Sequence, residues 1–476
     1  MSKARFQRLA HVSIACALGA CASAPAPRPP QLPTSDWSQR RQPSAEVTQG
    51  TASDLRAWFD ELPDPALKTL VADALAQNLD LRQARSRVRT ARAQLDLARA
   101  GNRPNVSLGA NTGRARIQRQ DLAGHIFPAF EINQFQTELS ASWEVDLFGS
   151  VAASIEGARA GLQGAEASVR ASEITLTAQI MQVYIDMRTM QHRRNLVTDS
   201  ISAQRETVAL TRSRGQSGLA SQLDVDTADT QTEQLDASLW LFDEAIERDL
   251  HALAVLSGRE PLELAALLQD IAATPPPLPP VPIAVPAQWL RQRPDILAAE
   301  TQVRSAEAQF QVARTNYLPN IVLTANGGSS AFRPADFLSM PALLWSTGAA
   351  ATQALYSGGR LDANRDLADA NLEQQELAYR KTVLTAMQDV EDQLTQLRGE
   401  DIRVRTLVRA LQLSTATRDR AADLFRAGLA DALSVLLAER TVLAARDSLE
   451  QAREQQQLAQ VALYRAMGAG WSSSSP

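Results

Sequence analysis

A stretch without proline, from residue 150 to about residue 213, constrains the fold of this chain more than any other feature. Apolar residues recur along it at the spacing of one α-helical face. A single helix of about 64 residues would be roughly 96 Å long at ~1.5 Å per residue. Helices of globular domains average about 11–12 residues, so the stretch predicts a coiled coil or another elongated helical assembly. The apolar positions are Ile155, Ala158, Leu162, Ala165, Val169, Leu176, Ile180, Val183, Met187 and Met190.

The second half of the chain repeats this organisation. A second proline-free stretch runs from residue 359 to about residue 427, and the dipeptide Pro-Asn at 104–105 recurs at 319–320. Each half has the order helix, strand, strand, long helix, helix, which indicates a tandem duplication. We therefore expect a first repeat over residues 55–272, a proline-rich linker over 273–286, a second repeat over 287–470 and a tail over 471–476.

Shorter helices flank each long one. A helix is expected to begin at Pro65 after Asp64 and to continue to about Ala100, and another should cover residues 221–257. Together they match the length of the long helix, so we expect them to stack end to end beside it. The linker holds seven prolines and predicts a stiff spacer.

Between the helices the hydrophobic period changes from 3.6 to 2. Residues 135–147 alternate most sharply, with Phe135, Leu139, Trp143, Val145 and Leu147 on one face and polar residues on the other. Weaker alternation at 106–112, from 321 and from 345 gives two strands per repeat. Strands of about 10 residues with one apolar and one polar face match the wall of a transmembrane barrel. A half-exposed sheet of a soluble domain is the alternative for either strand alone.

The N-terminus has the features of a bacterial lipoprotein signal. Residues 1–20 form a basic and then apolar signal peptide, and the sequence LGAC at 18–21 resembles a lipobox, so we expect a covalent lipid on Cys21. Cys16 fits less well, because Ser13 stands where a lipobox has an aliphatic residue. Ala22 follows in place of the aspartate that favours inner-membrane retention, which indicates the outer membrane. Residues 21–54 then form a lipid-anchored tether.

Composition excludes several classes of function. The net charge of −5 comes with no basic block, so nucleic acid is not an expected partner. The four histidines lie in no zinc-protease motif and the chain has no nucleophile elbow, so we expect neither an enzyme, nor a metal site, nor a cofactor other than the lipid. The sequence contains no run of 18 apolar residues, so we expect no transmembrane helix.

Four membrane-length strands cannot form a barrel alone. Eight strands are the usual minimum, and open strand edges are not tolerated in the hydrocarbon region. The strands therefore require oligomerisation if they span the membrane, and three copies would supply twelve strands and a continuous helical tube.

Three motifs carry a family resemblance. The segment WLRQRPDILAAE at 289–300 resembles the L-x-x-R-P-D-I-x-x-A-E signature of outer membrane efflux proteins. WSTG at 345–348 with LYSGGR at 355–360 resembles the family's second strand and its turn into the long helix. SGLA at 217–220 with LDV at 223–225 resembles the first hairpin tip. With the lipobox, the chain resembles the lipoprotein branch of the TolC-like outer membrane factors over residues 55–470.

The resemblance implies a fold class that is mainly α with membrane β. The chain would be the protomer of a homotrimeric channel-tunnel with a twelve-stranded barrel among outer membrane lipids and a periplasmic helical barrel. It would serve as a passive exit duct for small molecules such as drugs, docked through a periplasmic adaptor on an inner-membrane pump of RND type. A periplasmic coiled-coil scaffold or adaptor lipoprotein without a channel is the alternative, although it would lack the paired strands.

The resemblance also implies roles for the two hairpin tips. The tips should contact the adaptor, and the residues expected there are Gly218, Leu219, Ala220, Gly428, Leu429 and Ala430. In relatives the second hairpin carries the gate as a leucine, an aspartate four residues later, and an arginine. The leucine falls on Leu433 and the arginine on Arg440, but Leu437 occupies the aspartate position.

Two kinds of gate remain open. Rings of Leu433 and Leu437 could seal the channel with Arg440 tying neighbouring helices, or an acidic ring could come from Asp224, Asp226 and Asp229. The alternatives without a role in gating are interhelical packing for the leucines and a solvated helix face for the aspartates.

Overall fold

The structure is a computed structural model, and it describes residues 47–49, 57–118, 124–126, 128–218, 221–264, 277–283 and 293–468. The predicted signal peptide, Cys21, most of the tether, part of the linker and the tail lie outside these residues. The helices are α1 Pro65–Gln77, α2 Leu79–Ala100, α3 Ser150–Gln216, α4 Gln222–Leu256, α5 Pro294–Thr315, α6 Arg360–Arg426 and α7 Ala432–Ala466. The strands are β1 Val47–Gln49, β2 Asn105–Ile117, β3 Phe130–Glu144, β4 Val281–Ile283, β5 Asn320–Ala331 and β6 Leu343–Thr352.

The tandem organisation is confirmed in the described part of the chain. The long helices α3 and α6 have 67 residues each, about 100 Å of helix. The returning helices α4 and α7 have 35 residues each, and α2 and α5 have 22 each. No helix among the described residues combines the length and the apolar character needed to cross a membrane.

Glycines set the ends of both long helices. Gly149 and Gly359 precede them with φ of 80° and 81°, and these N-cap glycines make no side-chain capping hydrogen bond themselves. Beyond their C-terminal ends, Gly218 and Gly428 both have φ of 74°. This left-handed conformation costs glycine little, so the chain can leave each helix abruptly and form a hairpin.

The helices pack in an ordered series around α3. This helix contacts α2 and α4 on one side and α5 and α7 on the other, while α6 contacts α5 and α7. The contact with α5 is close because Gly164 leaves room for the side chain of Thr301: a Cβ at Gly164 would lie 2.6 Å from Oγ1 of Thr301. Glycine inside a helix costs about 1 kcal/mol relative to alanine, and here it allows that approach.

The expectation of one helix from Pro65 to Ala100 was wrong. Asn78 divides it into α1 and α2, since its Oδ1 accepts the backbone N–H of Leu81 at 2.9 Å as an N-cap. Its φ of −53° and ψ of 131° lie outside the helical region. Asparagine competes in this way for backbone donors without any proline or glycine to signal the break.

The expected end-to-end stacking is present. Nδ2 of Asn78, at the start of α2, donates to the carbonyl oxygen of Leu256 at the end of α4, at 2.9 Å. Gly258 follows α4 with φ of 70°, and a Cβ there would lie 2.7 Å from the carbonyl oxygen of Gln77. Helices α2 and α4 therefore meet end to end beside α3, so the first helix of the stack begins at Leu79 and not at Pro65.

The linker is more structured than a free spacer. Its strand β4 pairs in parallel with β1, Val47 opposite Val281 and Gln49 opposite Ile283. Nε1 of Trp58 donates to the carbonyl oxygen of Pro279 at 2.8 Å, and Val281 is fully buried. Strands of three residues carry no usable alternation, which explains why the sequence did not predict them.

One strand boundary also differs from the expectation. β3 ends at Glu144, so Val145 and Leu147 do not belong to it. The N–H of Val145 still donates to the carbonyl oxygen of Ile321 at 2.9 Å. The chain then turns through Asp146, whose Oδ2 accepts the N–H of Ala152 in the first turn of α3 at 2.7 Å.

Candidate functional site

Four strands form one antiparallel sheet in the order β2-β3-β5-β6. The two repeats contribute one hairpin each, and the hairpins join through β3 and β5, with Leu139 opposite Gly327. Within the described residues β2 and β6 each pair on one side only. The sheet thus has two open edges, as the sequence predicted for a barrel segment.

The sheet has a polar and an apolar face. Residues directly opposite each other in antiparallel strands share a face, so each register row identifies one. One row contains Ser107, Ser140, Asn326 and Ser346, and the Oγ atoms of Ser107 and Ser140 are 2.8 Å apart. The adjacent row, on the opposite face, contains Leu108, Leu139, Gly327 and Trp345.

The apolar face is uncovered in the protomer. Leu108 is 73% exposed and Trp345 is 81% exposed. Large apolar side chains on an uncovered sheet suit contact with lipid, and the serine row on the other face suits a water-filled lumen. Each of the two rows contains residues of both repeats, so the two faces continue across the junction between the hairpins.

The helical edges also carry uncovered apolar side chains. On α6 those from Leu377 onward recur at nearly whole turns, which places them in one stripe. The opposite edge, formed by α2 and α4, has a comparable set. The exposed residues on α6 are Leu367, Leu377, Leu384, Ile402, Leu413 and Leu424, and those on the other edge are Leu79, Leu97, Leu223, Trp240, Leu241 and Val255.

The two hairpin tips are built alike but capped differently. At the first tip Ser221 and Asp224 form a reciprocal capping box at the start of α4. At the second tip Asp431 caps α7 by accepting the N–H of Ser434 at 2.9 Å. The hydroxyl and backbone hydrogen bonds from Ser434 hold the pKa of the Asp431 carboxyl below its usual value. Leu429 is 76% exposed at the second tip, whereas Leu219 and Ala220 lie outside the described residues.

The predicted gate leucines lie on the exposed side of α7. Leu433 and Leu437 are one turn apart and about half exposed, while Val435 and Leu436 are buried inside the protomer. Leu436 packs with apolar residues of the first hairpin, and Val435 packs on Phe425. Packing within one protomer therefore uses the residues between the two leucines and leaves Leu433 and Leu437 free for contacts outside it.

The predicted acidic residues are all engaged inside the first hairpin. Oδ2 of Asp224 accepts from the backbone N–H of Ser221 at 2.9 Å, and Oδ1 of Asp226 accepts from Gln222 at 2.8 Å. Asp229 accepts both of its bonds from Nη2 of Arg212, at 3.1 and 2.9 Å. A ring of like charges is less costly with such partners, but the partners also give each aspartate a local role.

A contact between the two hairpins was not predicted from the sequence. Nη2 of Arg214, in the last turn of α3, donates to the carbonyl oxygen of Phe425 at 3.0 Å. The guanidinium carbon of Arg214 also lies 3.9 Å from the centre of the Phe425 ring, within the range of a cation–π interaction. This pair ties the end of α3 to the end of α6, and nothing in either local motif indicates it.

The signature arginine has a structural task. Arg293 is buried before α5 and donates from Nε and Nη2 to the carboxylate of Asp295, at 2.9 and 2.6 Å. Its Nη1 donates to the carbonyl oxygens of Ala466 at 2.6 Å and Ala386 at 3.4 Å. Asp389 of α6 lies 3.6 Å away. One guanidinium thus joins α5, α6 and the end of α7.

The described residues contain no group of three or more histidine, cysteine or acidic side chains arranged to hold a metal ion. The candidate site consists of surfaces: a sheet with two unlike faces, two uncovered helical edges and two hairpin tips. Cys21, the predicted lipid attachment site, lies outside the described residues.

Comparisons with known proteins agree over nearly the whole chain. A family model described as outer membrane efflux protein matches residues 70–259 and again 285–469. The pyoverdine export outer membrane protein OpmQ of Pseudomonas aeruginosa is 30% identical over 473 residues, 98% of this chain and 98% of OpmQ. Outer membrane protein OprJ of the same species is 30% identical, covering 96% of this chain and 95% of OprJ. The solved structure of the outer-membrane channel OprN matches with a TM-score of 0.85 and 29% identity, covering 95% of this chain and 100% of that one.

Proposed function

Because the chain belongs to the outer membrane efflux protein family, we propose that three copies of it close into one duct for small molecules. The chain is the outer membrane channel of a tripartite efflux pump, and it is not an enzyme. A periplasmic scaffold or adaptor without a channel does not fit, since the relatives that align along the whole chain are outer membrane proteins and channels.

The observation that carries the trimer is the open sheet. The sheet has edges at β2 and β6, and the backbone N–H and C=O groups along these edges are unpaired. Lipid hydrocarbon cannot form hydrogen bonds with them. Three copies joined edge to edge remove every edge and make a barrel of twelve strands. The apolar stripe of α6 then lies against the uncovered side of α2 and α4 in the next copy, which removes both from water.

Mass and conductance together test this proposal. The full-length protein in mild detergent should have the mass of three copies, and the same sample in a planar bilayer should conduct ions. A stable folded monomer, or a trimer that never conducts, would contradict it. A trimer that conducts in steps of one size would support a single shared pore.

For the substrate we propose small organic molecules, supported by the pyoverdine export named for one relative. An inner-membrane pump of RND type and a periplasmic adaptor complete the assembly, with the adaptor at the hairpin tips. The exposed Leu429 makes the second tip accessible for that contact. A photo-crosslinking residue at Leu429 should capture the adaptor encoded beside this chain, whereas one at Leu97, next to the sheet, should not.

The lipid anchor is a further part of the proposal. The lipobox around Cys21 supports diacylation, which gives a firm membrane anchor. Cys21→Ser should abolish labelling with radioactive palmitate while leaving trimers, because the barrel holds itself in the membrane. Labelling that persists in this variant would place the lipid elsewhere.

For the gate we propose rings of Leu433 and Leu437, with Arg440 beside them. The support is that both leucines are exposed in the protomer although they sit in an otherwise packed helix. Leu433→Ala with Leu437→Ala should raise single-channel conductance and admit larger antibiotics. Leu223→Ala, an exposed leucine of the other hairpin, is the matched control and should change conductance little. Unchanged conductance in a correctly assembled double variant would favour the acidic ring at Asp224, Asp226 and Asp229.

A further inference from the structure

Three carboxyl groups from both repeats come together where α3, α4 and α7 meet. Asp249 of α4 is 5% exposed and Glu454 of α7 is 8% exposed. Asp186 of α3 is the neighbour common to both: its carboxylate is within hydrogen-bonding reach of Glu454 and repels the charge on Asp249. The cluster thus spans the boundary between the first repeat and the second.

The basic groups around the cluster are largely engaged elsewhere. Arg193 of α3 donates to both carboxylate oxygens of Asp447, at 2.6 and 3.2 Å. Nε of Arg248 lies 3.6 Å from Oδ1 of Asp249, but its side chain is mostly in solvent. One turn before Glu454 on α7, Glu450 accepts from Arg453 at 2.8 Å and lies 3.7 Å from His192 of α3.

One oxygen of the cluster has no partner. Oδ2 of Asp249 is completely buried and makes no hydrogen bond among the described residues. A buried charged oxygen without a donor is strongly disfavoured, and so are two carboxylates held in contact. A proton on Asp249 removes the charge from its buried carboxyl group, and a proton on Glu454 or Asp186 supplies a donor for the contact between those two.

The direction of the titration agrees with this geometry. Burial, with added repulsion from Asp186, raises the pKa of Asp249 to about 6. Burial and the charge and hydrogen bond of Asp186 likewise raise the pKa of the Glu454 carboxyl well above its usual range. The cluster therefore retains protons at pH values where an exposed carboxyl group has lost them.

We propose that Asp186, Asp249 and Glu454 form a proton-binding site that tightens the contact between the two repeats when it is protonated. A proton shared by Glu454 and Asp186 makes a hydrogen bond between α7 and α3. When that proton leaves, two carboxylates face each other across the same contact, and the hold of the second repeat on the first weakens. The contact thereby responds to the acidity of the surrounding medium.

The sign of the pH effect follows from linkage. The folded cluster has pKa values above those of the unfolded chain, so the folded protein binds more protons than the unfolded one in mildly acidic solution. Its contribution to stability is present below the unfolded pKa values and is lost as pH rises through about 6 and into the neutral range. Each proton changes the folded-to-unfolded ratio by up to about tenfold per pH unit.

Stability measured against pH tests the site. The full-length assembly in detergent should unfold at lower temperature as pH rises through this window, and Glu454→Gln, which mimics the neutral acid, should remove most of that slope. Glu247→Gln makes the same charge change at an exposed position of α4 and should keep the wild-type slope. A wild-type slope in Glu454→Gln would overturn the proposal.

His192 provides the necessary second control. It lies 3.7 Å from Glu450, next to the cluster, and His192→Gln should leave most of the slope in place. If His192→Gln alone flattens the curve, the histidine accounts for the effect and the proposal fails.

Infrared spectroscopy of the unmodified protein gives an independent reading that does not depend on any variant folding. A C=O stretching band of protonated carboxyl groups should disappear as pH rises through about 6 and above, later than for exposed acids. The absence of such a late-titrating band would overturn the proposal. Loss of the band in a folded Glu454→Gln or Asp249→Asn variant would support it.

Discussion

The joints at which the short helices meet end to end occupy equivalent places in the two repeats but use different chemistry. In the first repeat Asn78 donates to the carbonyl oxygen of Leu256, two residues before Gly258. In the second, Arg293 donates to the carbonyl oxygen of Ala466, two residues before Gly468. Asn78 and Arg293 stand at the same distance before the Pro-Asn pair of their repeat. The last carbonyl groups of a helix have no hydrogen-bond donor within the helix, and in each repeat a side chain supplies one.

The two donors reach different numbers of partners. Asn78 also caps α2, so its side chain serves two helices that lie end to end. Arg293 reaches α6 as well, through Asp389 and the carbonyl oxygen of Ala386, and it is held by Asp295. Duplication thus preserved the backbone arrangement of the joint while the side chains diverged. The second joint fixes three helices, and the first fixes two.

Replacing Arg293 should have the largest effect on this comparison. Arg293→Ala removes a buried guanidinium and leaves the carbonyl of Ala466 without its donor, whereas the partly exposed Asp295 can be hydrated, so the loss of stability should be about 3 kcal/mol. The loss of folded trimer on heating measures it. Arg365→Ala, an exposed arginine paired with Asp366, is the control and should cost little. Equal melting of the two variants would show that the signature arginine does not hold the joint.

Asn78→Ala should have a smaller effect. It removes the N-cap of α2 and the bond to Leu256, each worth about 1 kcal/mol, so about 2 kcal/mol is expected in the same assay. Asn78→Asp separates the two roles, because a carboxylate can cap α2 but cannot donate to a carbonyl oxygen. Wild-type stability of Asn78→Asp would mean that the bond to Leu256 contributes nothing to the joint.

The hairpin tips should show the smallest effect. Arg214→Ala removes the stacking and hydrogen bond to Phe425, worth about 1–2 kcal/mol locally. Hydrogen exchange of the backbone amides near the tips should become faster, with little change elsewhere. Arg426→Ala removes only an exposed pair with Asp423 and should leave exchange unchanged. The same exchange rates in both variants would remove any role for Arg214 in tying the hairpins.

Much of the fold could be predicted because its signals are local. The absence of proline over the long helices and the period of 2 near Leu139 need only a short window of sequence, and the duplication supplies each signal twice. The break at Asn78 could not be predicted in this way, since a single asparagine is compatible with a helix until its side chain takes the N–H of Leu81. The same side chain also donates to Leu256, a contact that exists only after α2 and α4 have packed together.

The functional surfaces also differ in whether a local sequence pattern predicts them. The two faces of the sheet followed from alternation, and the structure extended them to rows such as that of Ser107 and Ser346. The contact of Arg214 with Phe425 and the cluster around Asp186 join residues far apart in the sequence. Such contacts exist only after the repeats pack together, and no spacing within either repeat encodes them.

Cross-linking of the two sheet edges tests the central claim, that two unlike repeats make one third of a closed barrel. Cys16 and Cys21 are the only cysteines of the chain, so new ones can be placed freely. Ser107→Cys on β2 would be combined in turn with a cysteine at Leu344, Ser346 or Gly348 on β6, because the register between copies is not fixed. At least one combination should give a covalent trimer under oxidation, while each single-edge variant should give none. Failure of every combination to link copies of a folded protein, or a link that forms only within a monomer, would contradict the claim.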